Sequence, residues 1–274
     1  MNFDNVLTGF LKNYKINLLI SVFVLLGVLL FLANQQINTG FVVSQGIDFT
    51  GGTQAIVEIN GTIDINLIKQ NLEKTIDSRI TIKQLENTNT ITIESTTQIT
   101  KDVLKTAIAD SNAKYVTSTT HTVGASLGAA FFSQSIKAII TAYIFMSIII
   151  FFLFKSFVPS MAIILASFAD IATALVGMNI FGLNLSMATV AGLLILIGYS
   201  IDTDILLSTR VLKRRAEGTV NERIKSSIKT GLTMSLTSII AMTVLFFIST
   251  SIVLDEIALV IIMGLTADIF YTWF

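Results

Sequence analysis

The chain has no cysteine, so no disulfide braces it and no thiolate is available as a metal ligand or nucleophile. It has one histidine, His121, and a single proline in 274 residues. Cys/His metal sites are thereby excluded, and no cofactor is expected. Charge is scarce too: Lys, Arg, Asp and Glu make up only 13% of the chain and cancel to a net charge of zero. No G-x-x-x-x-G-K-[ST] stretch occurs, so nothing points to a chain that hydrolyses nucleotide itself.

What is present is apolar. Hydrophobic residues make up 53% of the sequence, and the mean hydropathy is +0.76. Apolar stretches of ~20 residues, long enough to cross a ~30 Å hydrocarbon core, recur along it. The chain reads as an integral membrane protein with six spans, over residues 16–33, 133–154, 157–181, 184–208, 230–250 and 252–274. The first span is too long for an ordinary signal-peptide core and no A-x-A site follows, so it reads as an uncleaved anchor. Between Arg210 and Lys229 stand seven Lys/Arg against two Glu, which places that loop in the cytoplasm by the positive-inside rule. With six spans, Lys12, Lys15 and Lys155 fall on the same side, and both termini are cytoplasmic in the cell membrane. The basic loop also has the composition to touch anionic lipid.

The residues between the first two spans have a different character. "TQAIVEIN", "RITIKQLE", "TITIES" and "KYVTSTTHTV" read as strands, with "NTN" (residues 87–89) as a hairpin turn. "IDINLIKQNLEKTID" carries apolar residues at helical spacing, and "TKDVLKTAIADS" is a second helix opened by a capping threonine. The order β-α-β-β-α-β predicts a ferredoxin-like α+β domain outside the cytoplasm. His121 reads as a solvated strand residue. Three parts follow: residues 1–34 with the first span, 35–128 as the outer domain, and 129–274 as a five-span bundle with a basic cytoplasmic loop at 209–229.

At the head of the outer domain stands "GIDFTGGT". Gly51-Gly52 reads as a turn through which backbone passes close to a neighbour, with Asp48 set to accept from local amides. The string from Asp48 through Phe49, Thr50, Gly51 and Gly52 to Thr53 resembles the signature shared by the SecD/SecF family, accessory subunits of the protein-secretion machinery. "VGASLG" (123–128) is similar to that family's V-G-P-S-L-G, and "IGYSIDTDILLSTRV", with Gly198, Tyr199, Ser200 and Arg210, resembles its fourth-span motif. The G-Y-S start and the single small outer domain are closer to the SecF branch, and the D-T-D variant to its archaeal form. The resemblance implies half of a twelve-span, resistance-nodulation-type transporter fold. It also implies a SecD-like partner, the Sec translocation channel and a translocating polypeptide as associates. No catalytic constellation is visible in the sequence, so the chain reads as a non-enzymatic transport protein, with no nucleic-acid partner expected. Two features depart from the bacterial pattern. Asp202-Thr203-Asp204 stands where N-D-T is usual, and the fifth-span arginine falls at Thr230.

Four acids lie within the apolar spans: Asp170, Asp202, Asp204 and Asp268. A charged Asp at a helix centre costs at least ~2.5 kcal/mol, so such groups face a bundle interior or water. Residues two apart on a helix diverge by about 200°, so Asp202 and Asp204 cannot share a face. Alignment with the SecD form of the motif selects Asp202 as the inward one. Two readings stay open for these acids: a protonation switch that couples the proton gradient to the outer domain, or hydrogen-bonded locks between helices. For the whole chain the corresponding alternatives to an export subunit are half of a proton-coupled small-molecule transporter and an uncoupled scaffold of the channel.

Overall fold

The computed structural model of the chain describes residues 14–61, 64–76, 80–84, 90–109, 113–213 and 218–273. Lys12, the turn at 87–89, Arg214, Arg215, Glu217 and Phe274 lie outside the described residues. The chain divides into two compact units, one of residues 45–136 with 185–187, the other of residues 1–44, 137–184 and 188–274.

The smaller unit holds the strands of the described residues. After a one-turn helix α2 (Ile47–Thr50), β1 (Gly52–Gly61) leads to α3 (Ile65–Thr75), β2 (Ile80–Gln84), β3 (Thr90–Ser95), α4 (Lys101–Ala109) and β4 (Ala113–Val123). The strands form one antiparallel sheet in the order β2-β3-β1-β4. Alternation sets which face is covered: Ala55, Val57 and Ile59 of β1 and Ile91 and Ile93 of β3 are buried against Ile68 and Leu72 of α3 and Leu104 and Ile108 of α4. α3 begins where the Asp64 carboxylate caps the amides of Asn66 and Leu67. β4 slips by one residue opposite Glu58/Ile59, a bulge that leaves Val116 unpaired and half exposed. His121 is exposed on β4, opposite Gln54.

The larger unit is helical. It contains α1 (Tyr14–Thr39), α6 (Phe157–Ile180), α8 (Val220–Ile248), α9 (Ile252–Trp273), and most of α5 (Ala125–Phe154) and α7 (Met187–Leu212). Five of these helices, α1 and α5 to α8, are long and apolar enough to cross a membrane. The sixth, α9, carries Asp255, Glu256 and Asp268 within 22 residues. Several helices run past their apolar windows, α8 starting ten residues before the expected Thr230, because capping rather than hydropathy sets their ends. At α8 Thr219 and Glu222 form a reciprocal capping box. At the end of α6 the Leu183 amide reaches back to Met178 O and the Gly182 amide to Asn179 O, with Gly182 at φ +67°, a Schellman ending. The lone proline, Pro159, sits in the first turn of α6, where no amide is missed.

Burial sorts the helices. The most apolar windows of α6 and α7 are 39% and 44% buried, those of α1, α5 and α8 only 11% each. The first two therefore belong to the bundle's interior, and the other three turn apolar side chains outward. Close contacts are made at glycines: a Cβ at Gly192 would touch Val260, one at Gly264 would enter Leu196, and one at Gly177 would enter Met263. Gly192 and Gly264 thus let α7 and α9 approach closely.

Candidate functional site

The inward face of α7 is a stripe of Leu193, Leu196, Ile197, Ser200 and Ile201. At intervals of three and four residues that stripe continues to Asp204 and not to Asp202. Asp204 is accordingly buried at 5% exposure, while Asp202 is exposed. This corrects the selection of Asp202 as the inward acid. A motif alignment carries no helical phase, whereas the buried stripe does.

Asp204 meets two more acids. Asp170 of α6 and Asp268 of α9 are both fully buried, and the three are near enough to interact electrostatically. Hydroxyl groups from the neighbouring helices bind them. Ser200 donates to Asp170 Oδ2 at 2.5 Å, joining α7 to α6. Ser235 of α8 donates to Asp268 Oδ2 at 3.3 Å. Thr272 of α9 lies 3.0 Å from Asp204 Oδ1 and 3.1 Å from Asp268 Oδ1, so one hydroxyl serves two carboxyls and can donate to only one at a time. Asp170 Oδ1 and Asp204 Oδ2 are buried with no hydrogen-bond partner. Among the described residues no lysine or arginine pairs with any of the three.

Asp202 lies apart from this cluster. With Tyr199, Thr203, Thr233 and Ser235 it lines a cavity of about 350 Å³. Ser235 belongs to both places, since it lines that cavity and donates to Asp268. Thr272 plays the same part for a second cavity of about 340 Å³ near Trp273 and Pro159. Tyr199 is exposed, Ser200 is buried on Asp170, and Gly198 has no heavy atom within 4 Å of where a Cβ would sit.

The basic residues hold helix ends. Arg210 Nη1 donates to the carbonyl and hydroxyl of Ser226, pinning α7 to α8. Lys213 Nζ donates to Leu153 O at the end of α5 and lies over the Phe154 ring. Arg223 Nη1 donates to Val211 O. Cations near helix C-termini satisfy orphan carbonyls and favour the local dipole.

The family string occupies a different place, in the smaller unit. Asp48, Phe49 and Thr50 lie in α2, Gly51 follows with a φ of +76°, and Gly52, with a φ of +141°, opens β1 ahead of Thr53. The Asp48 carboxylate does not bind local amides, as the turn reading expected. Its Oδ2 accepts from Met187 N at 2.9 Å, a partner distant in sequence. Sequence reasoning missed Ser235 and Thr272. Thr272 carried a signal, the four-residue spacing from Asp268, and Ser235 carried none.

Long apolar helices around a buried acid cluster define a multi-pass helical membrane protein. Residues 103–274 match the family model of the protein export membrane protein SecD/SecF, C-terminal. The chain is 37% identical to the protein-export membrane protein SecF of Methanocaldococcus jannaschii, over 96% of this chain and 93% of that one. It is 34% identical to the SecF of Haloquadratum walsbyi, over 96% and 89%. The crystal structure of SecDF from Thermus thermophilus, described as a translocon-associated membrane protein, shares the fold with a TM-score of 0.73 at 24% identity. The match covers 92% of this chain but only 36% of that longer one. The chain belongs to the SecF family of protein-export membrane proteins.

Proposed function

We propose that the chain is a non-enzymatic accessory subunit of the Sec protein-translocation machinery, assisting export or membrane insertion beside a SecD-like partner and driven by the proton gradient. Family membership supports the export role. The partner is inferred because this chain corresponds to 36% of the SecDF chain, which leaves room there for a second bundle. In the same reading α9 is the sixth span of a half resistance-nodulation-type bundle in the cell membrane, with both termini and the 209–229 loop cytoplasmic. Residues 35–128 form the extracytoplasmic domain, ferredoxin-like in its β-α-β-β-α-β order, and residues 129–274 the remaining five spans.

The observation that carries the proton reading is the Thr272 hydroxyl shared between Asp204 and Asp268. Two unit charges about 6 Å apart repel by roughly 3 kcal/mol at an effective dielectric of ~20. A proton on either carboxyl relieves that repulsion and frees Thr272 to donate to the other. Asp170 Oδ1 and Asp204 Oδ2, which lack donors, offer further positions for it. Asp202 in its cavity and Ser235 on the shared wall supply an approach from water. Asp170, Asp204 and Asp268 are the exchanging acids in this scheme, with Asp202 as the entry group.

The test compares Asp268→Asn with the unaltered chain, each co-purified with its SecD-like partner and reconstituted with the channel. Export is followed with and without an imposed proton gradient. The gradient-dependent part is expected to vanish in the variant while the gradient-independent part persists. An unchanged response to the gradient overturns the proton reading and leaves the acids as interhelical locks.

A further inference from the structure

We propose that the D-F-T-G-G-T segment is a clamp on the start of α7, with Asp48 as its positioning residue. Three contacts converge on the residues that lead into that helix. Gly46 N–H donates to Leu185 O at 2.8 Å, and Gln45 forms a parallel bridge with Leu185. Asp48 Oδ2 accepts from Met187 N, the first amide of α7. The first four amides of a helix have no partner within it, and a carboxylate there satisfies one of them and suits the positive end of the dipole.

The other half of the string grips the start of α5. At Gly51 a Cβ would stand 2.7 Å from Ala125 Cα and 2.8 Å from its nitrogen, besides being strained at φ +76°. At Gly128 a Cβ would stand 2.9 Å from Gly51 N and 2.9 Å from Phe49 O. At Gly52 it would run into Ser95 O. These obstacles are mainly backbone and cannot swing aside, so the glycines measure out how closely the segment packs. Phe49, 3% exposed, sets its ring edge-on to Phe132 of α5 at 5.6 Å. One short segment thus holds the first turns of two long helices.

The clamped residues open the helix that carries Asp204. Asp204 lies about 26 Å further along α7 at ~1.5 Å per residue. Asp48 therefore fixes where α7 begins, and with it the place of Asp204 along that helix. Asp48 itself touches no group of the cluster and acts through the helix.

Only the export readout of this proposal depends on the proposed function; the clamp itself is read separately. The chain has no native cysteine, so Gln45→Cys with Leu185→Cys provides a single defined cross-link. In the full complex, Asp48→Ala is expected to slow oxidative cross-linking by about 2- to 30-fold, the range for losing an N-terminal cap. It is expected to reduce gradient-driven export at equal protein level. Asp48→Asn keeps an acceptor oxygen and should behave like the parent. Oxidising the cysteine pair in the Asp48→Ala background should restore export, since the disulfide replaces the lost contact. Unchanged cross-linking in Asp48→Ala overturns the clamp. Equal loss in Asp48→Asn and Asp48→Ala also overturns it, as does loss of export when the pair is oxidised with Asp48 intact. Slowed cross-linking with undiminished export upholds the clamp and counts against the export reading instead.

Discussion

Replacing Asp204 by Asn separates a working acid from a structural one, because the two roles move stability in opposite directions. The side chains are nearly isosteric. Asn retains an oxygen for Thr272 at the place of Oδ1, 3.0 Å from that hydroxyl. It puts an amide NH₂ at the place of Oδ2, which has no partner. That amide brings donors into a site rich in acceptor oxygens and removes one potential negative charge. An unsatisfied buried polar group costs about 1–3 kcal/mol, while hydrogen bonds between membrane helices average ~0.6 kcal/mol. Taken together these give an expected stabilisation of about 1–2 kcal/mol. For a chain of this order that raises the unfolding midpoint by roughly 2–8 °C. The measurement is thermal unfolding of both purified proteins in the same detergent, alongside gradient-driven export in membrane vesicles. Higher stability with export lost is the expected pair of results. A variant destabilised by a kilocalorie or more would refute the reasoning, because the carboxylate would then be a structural fastener that Asn cannot replace.

Gly128→Ala sets two effects against each other. Alanine favours a helix over glycine by about 1 kcal/mol, but the Cβ would press on Gly51 N and Phe49 O at 2.9 Å, and overpacking against backbone costs about 1–3 kcal/mol or more. A net loss of stability is expected in denaturant melts, and a gain would show that α5 can retreat from α2. Ile93→Ala removes a fully buried side chain from β3. About 2–4 kcal/mol of stability should be lost, seen as faster limited proteolysis within residues 45–136, with the helices distal to it cleaved no faster.

Much of the fold was legible because two periods dominate the sequence. Ala55, Val57 and Ile59 alternate at the period of a strand, and Ile68 and Leu72 are spaced for a helix. Helix ends were harder to read. Gln35, Gln36 and Asn38 lower the hydropathy without disfavouring helix, so α1 runs past Ala33 to Thr39. The four acids in apolar stretches were visible, since any charge stands out in an apolar run. Their grouping was less so. The stripe ending at Asp204 was present in the sequence, but it competed with a motif alignment that pointed to Asp202. Ser235 is one of many hydroxyl residues in α8, and only the packing of α8 on α9 distinguishes it. The tie between Asp48 and Met187 joins residues far apart in the chain, and no local pattern encodes it.

The sheet-bearing unit is not one continuous stretch, for it includes residues 185–187 as well as 45–136. During synthesis its last pieces therefore leave the ribosome only after all of α5 and α6. Until Leu185 and Met187 emerge, the Gly46 amide and the Asp48 carboxylate lack the partners they have in the folded chain. Completion of the smaller unit is in this way made to wait on the making of two long apolar helices, which orders the biogenesis of the chain.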